Sequence, residues 1–217
     1  MKKYIKNERG SGVILTIFSF AIVGIMLIIV LNVAMVFTKK EQASIAAEHA
    51  SLAATGIVYE KVDNVVNTHE KKVVIGIDED GNEIIEYEPL LDKVLAMESA
   101  IYASSPGISS NEAYIQAVNQ VLSSEIPDDE DLPSKITAAL NSAKMSISPI
   151  VQHIIAENYG KETDYEWNFL HGENRIEVIA KSEFEAVNHN GITFGSDSDI
   201  PQRGIGPVIS FIEQSGW

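Results

Sequence analysis

VILTIFSFAIVGIMLIIVLNVAMVF, Val13–Phe37, is a run of 25 residues without a charged side chain. As a helix rising about 1.5 Å per residue it would be roughly 37 Å long, more than the roughly 30 Å of a bilayer's hydrocarbon core, so one tilted crossing accommodates it. A secretory signal carries a shorter apolar region that ends at small residues. This run is longer and stops at Phe37-Thr38-Lys39-Lys40, so it reads as an uncleaved span. The rest of the chain divides around it: a basic leader at residues 1–12, the span at 13–37, an outward continuation at 38–66 and a domain at 67–217.

Charge separates the two flanks. The leader holds Lys2, Lys3, Lys6 and Arg9 against Glu8, and the segment after the span keeps 12 of the 16 basic and 30 of the 31 acidic side chains, a net −18. Basic residues favour the cytoplasmic side and acids influence topology little. With Lys39 and Lys40 the nearest cations after the span, the expected orientation is N-terminus in, acidic domain out. An acidic domain repels phosphate backbones and anionic headgroups, so nucleic acid is not an expected partner and the domain is expected to stand clear of the membrane surface. The chain has no cysteine, which removes disulfides, thiol nucleophiles and cysteinyl metal sites together.

Past the span the helical character continues. Lys39–Asn67 has no proline and one glycine and is rich in Ala, Glu and Lys. Ile45, Leu52, Tyr59 and Val66, with Val62, recur on one face. That stripe suits packing on the chain's own domain and packing on other subunits equally. A rod from about Val13 to about Val65 is therefore expected. Next, 72–77 and 83–88 flank Asp78-Glu-Asp-Gly-Asn82 as a hairpin closed by Pro89, with Gly81 or Asn82 able to take positive φ. Helices are expected at 90–103, at 113–124 behind the capping signal Ser109-Ser-Asn-Glu112, at 134–145, and from Pro149 as a first helical residue to Tyr159-Gly160. An exposed acidic loop is expected at 127–133. Strands are expected at 165–170 and 175–187, the second burying Ile176, Val178, Ala180 and Phe184, with a turn at 188–191, a short strand at 192–194, a loop at 195–199 and a last strand at 208–212. The sum is an α+β fold: a long N-terminal transmembrane helix continuing into an extracytoplasmic domain of several helices and a small antiparallel sheet.

Catalytic patterns are missing. His49, His69, His153, His171 and His189 have no metal-ligand spacing, and His69-Glu70 lacks the second histidine of a zincin helix. Asp78–Glu83 has its glycine at the wrong position for an EF-hand loop, so a hairpin turn is the better reading. Asp128–Asp131, and Asp197 with Asp199, read as solvated acidic loops rather than calcium sites. No Gly-x-Ser-x-Gly or Ser-x-x-Lys occurs, and Arg203-Gly-Ile-Gly-Pro207 is too short for a phosphate loop and is interrupted by proline. No enzyme, cofactor or metal is therefore expected. Asn32, the one strongly polar side chain in the span, is a candidate intramembrane contact to a neighbouring helix or a residue of the outer interface.

Two stretches carry a resemblance. Asn7-Glu-Arg-Gly-Ser-Gly12 before the span and Glu48-His-Ala-Ser-Leu-Ala-Ala-Thr-Gly56 after it resemble the TadE/TadG-like proteins of tight-adherence (Flp) pilus assembly. In that alignment Asn32 stands where relatives carry an acid late in the span, and Ser44 where they carry Gln. The resemblance covers Glu8–Gly56 and implies a pilin-like or accessory protein that meets other pilus or secretion-apparatus proteins at the membrane. Some relatives are cut after a leader glycine, which makes Gly10 and Gly12 the candidate processing positions. The glutamate usual at the fifth mature residue is here Leu15 or Ile17, which favours a protein retained in the membrane. Two other classes stay open, a bitopic extracytoplasmic ligand- or cation-binding sensor and an envelope hydrolase. Oligomeric state is not legible.

Overall fold

The computed structural model describes residues 11–170, 172–186, 188–189, 192–193 and 198–215. The fold is α+β, built around one helix. α1, Ser11–Thr68, runs 58 residues without a break, about 87 Å at the helical rise. From Val13 to Leu31 its side chains stand free of the domain, most of them well exposed. From Ala43 onward one face is buried under the rest of the chain, and Ala43 lies only six residues beyond Phe37, about 9 Å along the axis. The buried part of α1 thus begins close to the end of the apolar run.

The buried face differs from the expected stripe. Val62 and Val66 belong to it, with Val58, but its lower half consists of Ala43, Ala46, Ala47, Ala50, Ser51, Ala54 and Thr55, each almost completely buried. Ile45 and Leu52 are turned outward, 37% and 47% exposed. The reason is distance: α1 is flanked closely by other elements, and only small side chains fit between the backbones.

A hairpin follows, β1 (Glu70–Ile77) paired antiparallel with β2 (Glu83–Pro89). Gly81 takes φ +86° in its turn. The Asp78 carboxylate accepts from the N–H groups of Asp80 (2.9 Å) and Asn82 (2.8 Å), so it caps its own turn. α2 is Leu90–Ser104 and α3 is Ser110–Glu125, whose first turn is capped by the Ser109 hydroxyl accepting from the Glu112 N–H at 3.2 Å.

The expected loop at 127–133 is shorter and more ordered. A 3-10 turn covers Ile126–Asp128, and Pro133 already belongs to the first turn of α4, Leu132–Glu157. α4 also runs through Pro149, where the sequence predicts the start of a separate helix. Ile136, Leu140, Ala143, Ile147, Val151 and Ile155 keep one buried face across the proline. Pro149 and Met145, the residue four before it, face solvent, where water can satisfy the carbonyl that the proline cannot.

The last third forms a three-stranded antiparallel sheet ordered β3 (Glu166–Leu170), β4 (Arg175–Phe184), β7 (Ser198–Ile205), with a small pair, β5 (Asn188–His189) and β6 (Ile192–Thr193), between β4 and β7. β4 buries Ile176, Val178, Ala180 and Phe184, as its alternation predicts. β7 replaces two expectations. Asp199 belongs to a strand rather than a loop, and 208–212 is no strand: Ile209 and Phe211 are buried in irregular chain before the short helix α5, Ile212–Ser215. Gly195 and Asp197 lie outside the described residues, as do His171 and Phe194.

α1 packs against β4, β7 and α4. A Cβ added at Gly204 would stand 2.2 Å from the Ala47 carbonyl oxygen, and one at Gly206 would stand 2.3 Å from Thr55 Oγ1. These two glycines let the edge strand lie directly on the alanine stripe.

Candidate interaction surfaces

The positions singled out from the sequence lie along the free part of α1. Gly10 is outside the described residues. Gly12 is the second residue of the helix, and its carbonyl accepts from Thr16 Oγ1 at 2.9 Å. Leu15 and Ile17 project freely, 66% and 65% exposed. Asn32 is 9% exposed although Leu31 and Val33 beside it are half exposed. Steps of seven, four, three and four residues connect Asn32 to Lys39, Ala43, Ala46 and Ala50, so it stands on the face that farther along is pressed against the domain. The most apolar window of α1 buries none of its length within the chain, which makes this helix a candidate membrane anchor by length and composition.

Two polar clusters hold the domain together where α1 ends. His69, the residue after α1, is 3% exposed. Lys135 Nζ lies 3.0 Å from its Nδ1, and Asp129 Oδ2 lies 2.8 Å from its Nε2. An ammonium can only donate, so Nδ1 accepts and Nε2 carries the hydrogen given to Asp129. Burial alone would raise the Asp129 carboxyl, but hydrogen bonds from His69 and from the N–H groups of Leu132 and Asp131 outweigh it and hold the group below its ordinary value. The Lys–His–Asp chain has the look of a proton relay. Its imidazole, however, is enclosed and committed at both nitrogens, and it joins the end of α1 to the start of α4.

Beside it, Glu125 accepts from Lys71 and Lys93, both at 2.9 Å, and Lys93 also meets Glu88 at 3.0 Å. These contacts overcome the effect of burial and lower the Glu125 carboxyl, while Lys93 is raised. Neither cluster is legible in the sequence, because partners mostly 32 to 66 positions apart have no local spacing to betray them. Among the described residues no group of three or more His, Asp or Glu side chains could hold a metal ion.

A groove of about 520 Å³ lies between α1 and α3. Leu52, Ile115 and Pro207 supply its apolar part, and Asp63 accepts from the Tyr114 hydroxyl beside it. Tyr59 is fixed by Asn119 Nδ2 at 2.8 Å and by an edge-to-face contact with Phe211, ring centres 6.1 Å apart; burial pushes its hydroxyl up to about 12.

Comparison with known proteins adds one match. Residues 10–56 match the Tad family model, Flp pilus-assembly TadE/G-like. That family is described by an assembly process and not by a catalysed reaction. No curated protein and no solved structure matches the chain. The matched segment takes in the free apolar part of α1 and the alanine stripe up to Gly56, and with it the chain carries a TadE/G-like segment that links it to Flp pilus assembly at the cell envelope.

Proposed function

We propose that this is a single-pass envelope protein, N-terminus cytoplasmic and acidic domain outside, that works by protein–protein contact as an accessory or pilin-like component of Flp-type pilus assembly. One observation carries the reading: the residues that match the family are those of the helix that leaves its apolar side chains free of the domain and then becomes the domain's own core. Retention in the membrane suits the residues better than incorporation into a shaft. Cutting after Gly10 or Gly12 would place Leu15 or Ile17 fifth, and neither can bind a neighbour's amino terminus. Cutting after Gly12 would also open the first turn of α1, where its carbonyl is bonded to Thr16. Asn32, at the outer part of the span, is read as an anchor to the interface and to the helix face that serves the domain.

Because the chain has no cysteine, single engineered cysteines report topology without background. In intact spheroplasts a membrane-impermeant maleimide is expected to label Met145→Cys, at a position 83% exposed on α4, and not Lys3→Cys. The reverse pattern overturns the orientation. Deletion is expected to abolish Flp pili, and pili assembled normally without the protein overturn the assembly role. N-terminal sequencing of the membrane-extracted protein is expected to begin at Met1.

A further inference from the structure

The β1–β2 hairpin is a two-stranded sheet, and its β1 strand borders a groove of about 510 Å³. The Leu90 N–H donates to the His69 carbonyl at 3.0 Å, which fixes the phase of the ladder: residues 69, 71 and 73 bond towards β2. The N–H and C=O groups of Glu70, Lys72 and Val74 therefore point away from β2, and among the described residues they meet no partner. A register shift between Val74 and Gly76 ends this competent stretch. Beyond the edge, the acidic turn before α4 forms the opposite wall, so the groove has β1 and Tyr87 on one side and Asp128–Asp131 on the other.

The groove's charge is one-sided. Glu70, Asp128, Glu130 and Asp131 are exposed, Lys71 is engaged by Glu125, and Asp129 is engaged by His69. Lys72 alone opposes the four acids. Val74, Ile75 and Ile77 are 50% to 70% exposed and leave the strand an apolar surface to be covered. We infer that this edge is a strand-addition site for an extended basic segment of a partner protein. The partner's backbone would pair with Glu70, Lys72 and Val74, its Lys or Arg side chains would face the acidic wall, and an apolar residue would cover Val74. This chemistry stands independently of the pilus reading, since it rests on the hairpin and the turn alone.

The test uses the full chain in detergent micelles and a fluorescent peptide alternating Lys and Val, with anisotropy as readout. The wild type is expected to bind it, more weakly as salt rises. A Glu/Val peptide, and a Lys/Val peptide N-methylated on alternate residues so that it cannot pair along a strand, are each expected to bind at least about tenfold more weakly. Lys72→Pro removes an outward N–H while sparing the ladder to β2, and it also removes the opposing cation. If charge alone held the peptide, this variant would bind more tightly; strand addition requires weaker binding. Asp128→Lys with Glu130→Lys is expected to weaken binding as well. The proposal is overturned by no binding at millimolar peptide, by equal binding of either control peptide, or by unchanged or tighter binding to folded Lys72→Pro. It is equally overturned by wild-type self-association that Lys72→Pro dissolves, which would make the occupant a second copy. If Lys72→Pro does not fold, the N-methylated peptide on the wild type decides.

Discussion

Replacing Gly204 by Ala tests the close approach on which the domain is built. The new Cβ would lie 2.2 Å from the Ala47 oxygen, 2.3 Å from its carbonyl carbon and 2.5 Å from the Glu48 nitrogen. All three are backbone atoms in the middle of α1, so no flexible side chain can yield. Ordinary contact requires β7 to retreat by roughly 1 Å, which loosens the packing of the buried alanines beneath it. Overpacking of this kind costs about 1–3 kcal/mol, and the upper end applies where the obstacle is backbone. For a domain of this size that lowers Tm by about 6–12 °C. The measurement is thermal unfolding of the full chain in detergent, followed by near-UV circular dichroism, with Gly56→Ala as the control. Gly56 is exposed on α1 with nothing within 4 Å of an added Cβ, so that change is expected to raise stability by up to about 1 kcal/mol. If Gly204→Ala melts within about 1 °C of the wild type, the strand does not lie on the helix as described, and the account of the alanine stripe falls with it.

His69→Ala would leave the Asp129 carboxylate, 7% exposed, without its main partner, and is expected to cost about 2–4 kcal/mol in a denaturant titration, whereas Lys135→Ala at the exposed end of the chain should cost about 1 kcal/mol or less. Acid should expose the same clusters. The Asp129 and Glu125 carboxyls are depressed in the fold from ordinary values of 3.8 and 4.5, so their stabilisation is complete above those values and is lost as pH falls through the lower folded-state range. A Tm series taken from neutral pH down to about pH 3 should therefore fall steeply in the wild type and less steeply in Glu125→Gln, which starts lower at neutral pH.

What could be read from the sequence was what periodicity and local chemistry encode. The apolar run, the helix beyond it, the Asp78 turn, the Ser109 cap and the alternation of Ile176, Val178 and Ala180 each carry their signal within a few neighbouring residues. What escaped was set by elements meeting at a distance. Alanine has no pattern that distinguishes a packed stripe from good helix composition, so Ile45 and Leu52 drew attention that belonged to Ala46, Ala47 and Ala50. Gly204 and Gly206 carry no local signal, because the reason for them lies on α1, roughly 150 residues away in the chain. Pro149 looked like a boundary because its tolerance depends on which side of α4 meets water. His69 has no ligand spacing around it, and its partners come from a turn and a helix that only the fold brings to it.

The unbroken helix gives the span and the domain a fixed relative orientation, and that coupling is testable. Between Phe37 and Ala43 nothing interrupts α1, and its residues turn by about 100° each. Two alanines inserted between Lys39 and Lys40 would rotate the domain by about 200° about the span and move Asn32 off the face it shares with the alanine stripe, while leaving the stripe and its contacts intact. Seven inserted residues would return the face to within about 20° and lift the domain by about 10 Å. Both variants should therefore retain the fold's Tm to within about 2 °C. In an Flp pilus assembly assay the two-residue insertion is expected to abolish function and the seven-residue insertion to recover at least part of it, because partners gripping span and domain together depend on azimuth more than on height. Wild-type assembly by the two-residue variant would show that the continuity of α1 has no bearing on function. The helix would then be only a tether, and the alanine stripe an internal matter of the domain.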